Sequence, residues 1–174
     1  MTIEDKREKC SVVPAVEILG QIVPSVPKNY LTGIRKILLL DEDYHGQGGA
    51  LARYVAIQGT KAANIELYFD HYATAPEALQ SNRIFLTLFL ATALMHEIYH
   101  HLVRAQRRFR KPTNKLEEER AAQWSEEKAM KILLQIFPPD RYQEEFNQFK
   151  RMRDEIMKSN PALQPTPAKS GGRG

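Results

Sequence analysis

Apolar positions change their spacing twice along this chain. From Val12 to Tyr30 they are frequent but broken by Pro14, Gly20, Pro24 and Pro27, which predicts a short helix over 16–22 followed by an extended, proline-rich segment. Three strand-like runs come next, at 35–40, 53–58 and 64–69. The third alternates polar and apolar residues (Asn64, Ile65, Glu66, Leu67, Tyr68) before Phe69, as a half-buried strand should. Gly46, Gly48 and Gly49 separate the first two runs. They lack the Gly-Lys-Ser/Thr of a phosphate loop and are read as a hairpin connection. From Pro76 onward the spacing is helical. It predicts helices over about 76–107, 114–137 and 140–157, with Thr113 or Asn114 as N-cap of the second and Pro138-Pro139 as its stop. The order helix, three strands, three helices reads as α+β, with a small, three-stranded, mostly antiparallel sheet.

Composition narrows this only modestly. With 174 residues, 43% hydrophobic and 26% charged, the chain has enough apolar material for one core without disulfide or metal staples. Residues 1–159 read as a single domain. Residues 160–174, with three prolines, three glycines and almost nothing large and apolar, read as a flexible basic tail. The lone Cys10 excludes an intramolecular disulfide framework. The opening residues mix acids and bases with no apolar segment behind them, so no secretory signal is expected. The apolar stretch 84–103 reaches membrane-spanning length. It contains His96, Glu97, His100 and His101, whose placement at membrane depth would be costly. It is therefore expected to be a buried helix of a soluble, cytoplasmic protein.

Those four residues carry the chemistry. His96-Glu97-Ile98-Tyr99-His100 is an H-E-x-x-H segment inside an apolar helix. Residues four apart lie on one helix face, so the two imidazoles can converge on one ion. Neutral imidazole is a good ligand for Zn²⁺. Glu97, one position round, can reach a water at the metal and exchange protons with it without ligating the metal. His101 lies off the shared face, Thr92 and Ala93 precede His96 by one turn and are expected to pack beneath the site, and Trp124 reads as a core residue of the next helix.

A catalytic zinc site needs a third protein ligand. The five histidines are His45, His71, His96, His100 and His101, so none follows the motif and a downstream carboxylate is expected. Glu117, Glu118 and Glu119 stand together at the start of the second long helix. Its small and apolar stripe, read as Ala122, Ser125, Ala129, Ile132, Leu133 and Ile136, is extended backwards by Glu118. Glu118 is thus the expected inward carboxylate and the third ligand.

H-E-x-x-H, 17 intervening residues and then Glu118-x-x-Ala121 resemble the gluzincin metallopeptidases, the minimal ones by length, over roughly 35–136. The resemblance implies a minimal zincin-like fold and a zinc peptidase. His96, His100 and Glu118 would hold the metal, and Glu97 would serve as general base and acid. It further implies a sheet-edge strand that binds extended substrate by strand addition. The run Asn64, Ile65, Glu66, Leu67, Tyr68 is the expected edge, and a peptide or protein the expected partner. One departure is plain. Many gluzincins carry an Asp four residues after the ligand glutamate, where this chain has Ala122, so the usual outer support of a ligand histidine is missing. Tyr142 is the oxyanion candidate, with Tyr44 and His45 beside it.

Two other function classes stay open. One is a metal-binding but catalytically inactive regulatory protein. The other uses the basic run Arg104, Arg107, Arg108, Arg110, Lys111, Lys115 to contact nucleic acid. That run also explains the overall charge. The chain is +4, but without these six cations and Lys169 and Arg173 of the tail the remainder is at −4. The plain alternative for the run is a solvated helix end whose cations favour the C-terminal dipole.

Overall fold

The computed structural model describes residues 1–9, 13–43, 50–73, 80–105 and 115–159. Strand β1 (Thr2–Asp5) leads to helix α1 (Ala15–Ser25), a 3₁₀ turn at Lys28–Tyr30 and strand β2 (Ile34–Leu40). Strands β3 (Ala52–Ala56) and β4 (Ala63–Tyr68) follow, then a short helix α2 (Asp70–Ala73). Three longer helices complete the described chain: α3 (Arg83–Ala105), α4 (Lys115–Ile136) and α5 (Gln143–Ser159).

The α+β class holds, but the sheet differs from the expected one. It has four strands in the order β1-β2-β4-β3. β1 and β4 both pair with β2 in parallel, and β3 pairs with β4 antiparallel. The three-stranded, mostly antiparallel sheet is therefore replaced by a four-stranded mixed one. The missed strand, β1, is four residues of which three are polar (Thr2, Glu4, Asp5), too short and too polar to show a period. Its pairing is parallel and spans α1, so no local turn signal announces it.

This topology also moves the sheet edge. β4 is hydrogen-bonded to β2 on one side and β3 on the other, so Asn64, Ile65, Glu66, Leu67 and Tyr68 form an interior strand and cannot add a substrate strand. The edge on this side is β3. Chain order placed β4 next to the metal helix, but the β3–β4 hairpin puts β3 outside it.

Helices cover one face of the sheet. Ile37 and Leu39 of β2 and Ile65 and Leu67 of β4 meet Ile18, Leu19 and Ile22 of α1 and Leu90, Leu94 and Ile98 of α3. Asn64 and Glu66, on the opposite face of β4, are half-buried, as the two-residue alternation requires. In β2 an irregularity between Ile34 and Lys36 resets that alternation, so Ile34, Ile37 and Leu39 all face inward. Asn82 caps α3, its Oδ1 accepting the Phe85 backbone N–H at 2.9 Å. That is why α3 starts well after Pro76. Trp124 of α4 packs between Tyr30 and Tyr99, each ring centroid 5.7 Å away, in accord with a core role. The described residues contain no helix long and apolar enough to cross a membrane. The tail 160–174 and the centre of the basic run, 106–114, lie outside the described residues, as do Tyr44 and His45.

Candidate metal centre

Helix α3 presents His96, His100 and Arg104 at successive four-residue steps on the face that lines one cleft, with Glu97 beside them. The His96 and His100 Nε2 atoms are 3.2 Å apart. Glu118 of α4 brings Oε2 to 3.1 Å from His96 Nε2 and 3.4 Å from His100 Nε2. One donor atom from each of these three residues lies within 4.8 Å of the others. Two imidazole nitrogens and one carboxylate oxygen, gathered from two helices, are a donor set that fits a metal ion with room for a further ligand. The structure thus assembles the three residues expected from the sequence into a group able to hold a metal.

The electrostatics suit that role. Burial and the neighbouring His100 ring lower the His96 pKa, while its hydrogen bond with Glu118 pulls the other way. The net lowering favours neutral imidazole, the form that ligates metals. Glu97 is nearly buried, and burial pushes its carboxyl up to about 7. The Tyr54 backbone N–H, donated to that carboxylate, opposes the rise, and the charges of Arg104 and Arg53 oppose it further.

These groups line a cleft of about 500 Å³. One wall is α3, with Ala93, His96, Glu97, His100 and Arg104, and Glu118 reaches in from α4. The opposite wall is the edge strand β3 and the residues before it, Ala50 to Tyr54. The catalytic candidate, the metal group and the last strand of the described sheet therefore share one cavity.

The phase of α4 differs from the one read in the sequence. Its buried positions are Glu117, Ala121, Ser125, Ala129, Ile132 and Leu133, whereas Ala122 is exposed. Glu117, not Glu118, lies on the core stripe, with its side chain 7% exposed against 46% for Glu118. Ala121 and Ala122 are chemically identical, so residue type gave no means to choose between the two phases. Glu118 still reaches the histidines because the cleft lies at the border between core and solvent.

Glu117 was not expected to take part. Its Oε1 is 3.5 Å from His100 Nδ1, the ring nitrogen turned away from the metal group. His100 Nδ1 is buried without a hydrogen bond among the described residues. A carboxylate that accepts from the far nitrogen of a metal-bound histidine would fix its tautomer and orientation. Glu117 is the carboxylate nearest that nitrogen, at 3.5 Å and with no hydrogen bond between them. The only trace in the sequence is a second glutamate next to the first.

His101 turns to the sheet side and is 3% exposed. Its Nε2 is 2.8 Å from the Thr32 carbonyl oxygen and its Nδ1 is 3.4 Å from the Tyr54 hydroxyl. With Nε2–H donating to the carbonyl, Nδ1 accepts from Tyr54. His101 thus ties α3 to β3 and to the turn before β2, and holds the cleft's walls in register.

Tyr142 is not in this cleft. It packs edge-on against Phe137, with ring centroids 5.1 Å apart, in a small cluster with Ile84 and Leu133. Ile84 is three helical turns from His96, about 18 Å along α3. Tyr142 therefore does not reach the metal group and cannot take the oxyanion role expected of it. A tyrosine three residues after a Pro-Pro stop packs against the helix it follows, a contact with no local signal in the chain.

Comparison with protein-family models, with curated proteins and with solved structures finds no match to this chain.

Proposed function

We propose that this chain is a zinc-dependent peptidase of the H-E-x-x-H, gluzincin-like type, acting on peptide or protein substrates. The observation that carries the reading is the convergence of His96, His100 and Glu118 within 4.8 Å in the cleft that also holds Glu97 and the β3 edge. His96 and His100 through Nε2 and Glu118 through its carboxylate would hold the ion. When bound, zinc supplies Lewis acidity, lowering the pKa of water and polarising a carbonyl oxygen.

The chain's own residues do the rest. Glu97 belongs to the same helix turn as the ligands but is absent from the ligand group. Its carboxyl, pushed up to about 7, has an affinity for protons suited to taking one from water and returning it to a leaving amine near neutral pH. The Tyr54 backbone N–H holds that carboxylate in place. The side of β3 away from β4, at its main-chain groups other than the Tyr54 N–H that holds Glu97, supports binding of an extended peptide through main-chain hydrogen bonds, which lays a scissile bond along the α3 wall.

The test uses two variants. Glu97→Gln is expected to keep one zinc per chain and lose at least about 100-fold in cleavage of an unfolded protein such as casein. Glu118→Gln is expected to lose most of the zinc. Zinc-loaded protein that cleaves casein equally well with Gln at position 97 would sink the mechanism. Zinc that stays stoichiometric without Glu118 would sink the ligand set. A protein that binds zinc tightly but leaves casein intact would favour a non-catalytic metal protein.

A further inference from the structure

Two arginines line the cleft, and their situations differ. Arg53 is committed: its Nη2 is 2.9 Å from Asp43 Oδ2, a carboxylate whose side chain is 1% exposed. Arg104 stands over the Tyr54 ring, its guanidinium carbon 5.1 Å from the centroid. Among the described residues no carboxylate lies within ion-pair distance of it. Stacking on an aromatic face fixes the plane of a guanidinium but leaves its five N–H donors directed outward. A half-buried cation over an aromatic ring, in the cavity that holds the metal group, is suited to receive a planar anion.

We propose that Arg104 is a specificity determinant which binds a carboxylate of the substrate close to the scissile bond, making acidic peptides the preferred class. The inference rests on the peptidase reading above. Position supports it. Arg104 follows His100 by four residues on the same face, a rise of about 6 Å along α3. An extended peptide advances about 3.3 Å per residue. A chain lying along β3 with its scissile carbonyl at the metal group therefore passes Arg104 about two residues away. Arg104 and Glu97 line the same cleft. The carboxylate can belong to an Asp or Glu side chain or to a free C-terminus, and the chemistry recognised is the same.

The experiment measures binding by calorimetry to the full-length, zinc-loaded Glu97→Gln protein, which is expected not to consume its ligand. The probes are acetyl-Ala-Ala-Xaa-Ala-Ala-amide with Xaa as Glu, Gln or Lys, and the Gln peptide with a free C-terminal carboxylate. A charge-assisted, two-pronged contact is expected to favour one carboxylate-bearing peptide over the neutral Gln amide by about tenfold or more. The Glu peptide leading assigns the site to a side chain, and the free-acid peptide leading assigns it to a chain end. Adding Arg104→Gln should collapse that advantage to within about twofold at unchanged zinc content. Arg104→Glu should make the Lys peptide the tightest, an inversion that a purely structural role for Arg104 would not produce. Four peptides binding alike, none binding, or an advantage that survives Arg104→Gln would each overturn the proposal. So would a DNA oligonucleotide that displaces the peptides more strongly than they displace one another, through Arg104. Zinc content and casein cleavage by the unmutated protein, measured alongside, report failure of the peptidase reading separately.

Discussion

Glu117 and Glu118 are neighbours in the chain and face different nitrogens of one metal group. Glu118 Oε2 meets the inner nitrogens of His96 and His100, and Glu117 Oε1 faces the outer nitrogen of His100. Removing the charge of Glu117 while keeping its shape should leave the ligands intact but loosen His100. Glu117→Gln is therefore expected to weaken zinc binding about 10–100-fold, measured by competition with a chromogenic chelator, with the circular dichroism spectrum unchanged. An affinity within threefold of the parent would show that Glu117 is only a buried glutamate. The pairing of His96 and His100 was legible because H-E-x-x-H encodes its own geometry: four residues make one turn, and the face follows. Glu117 was not, because its role depends on which of two adjacent alanines, Ala121 or Ala122, faces the core. Gly33 is a second residue whose importance is invisible in the sequence. Its φ is +93°, and a Cβ there would lie 3.2 Å from the Lys61 carbonyl oxygen and 3.3 Å from His101 Cε1. Gly33→Ala combines left-handed backbone strain with pressure on the histidine that ties α3 to β3. A loss of about 1–3 kcal/mol is expected in urea unfolding. A loss below about 0.5 kcal/mol would mean that the turn can relax.

At the scale of elements, the long helices were readable and the sheet was not. α3 and α4 are long and periodic and Pro138-Pro139 stops α4, all local signals, whereas the start of α3 was expected at Pro76 and lies after the Asn82 cap. The pairing order β1-β2-β4-β3 depends on contacts between segments far apart in sequence. β1 shows what holds such a strand in place. Just beyond it, Arg7 is nearly buried and donates to Asp5 at 2.7 and 2.8 Å and to the Val13 carbonyl oxygen at 3.0 Å. Its guanidinium also lies 4.4 Å over the Phe69 ring. Asp41 reinforces this end of the sheet by accepting the backbone N–H groups of Glu8 and Lys9 at 2.7 to 3.1 Å. The Arg7 side chain beside Asp5 holds that carboxyl below its ordinary pKa of 3.8. A lowered folded-state pKa means that Asp5 stabilises the fold above about pH 4 and that this share is lost as pH falls through the folded value. Because Asp5 is exposed and its ion pair is screened by solvent, Asp5→Asn should cost no more than about 1 kcal/mol at pH 7, with the gap to the parent closing as the pH drops below 4. A gap that stays constant from pH 7 to pH 3 would remove the ion pair as its cause.

At the scale of the molecule, the candidate centre joins two parts of the chain that packing alone also joins. The ligands on α3 and the one on α4 are separated by residues 101–117, and the two helices pack along their length. Apolar contact supplies most of that association, through Leu94, Met95 and Ile98 on one side and Ala129 and Ile132 on the other. Metal would therefore tighten an existing interface, and the protein should fold without it. That separates this chain from small metal-dependent domains, and it accords with an apolar content high enough for a core of its own. It also sets the size of the effect. A ligand that binds only the folded state stabilises by about 2.7 kcal/mol at a free concentration one hundred times its dissociation constant. For a chain of this size each kcal/mol moves the midpoint by about 2–4 °C. Zinc at that excess is thus expected to raise the Tm by about 5–10 °C, EDTA to reverse the rise, and Glu118→Gln to abolish most of it. Calcium or magnesium at the same concentration should do little, because two of the three ligand atoms are imidazole nitrogens and those ions select oxygen. A Tm that responds equally to all three ions, or to none, would mean that His96, His100 and Glu118 meet for reasons of packing and hydrogen bonding alone.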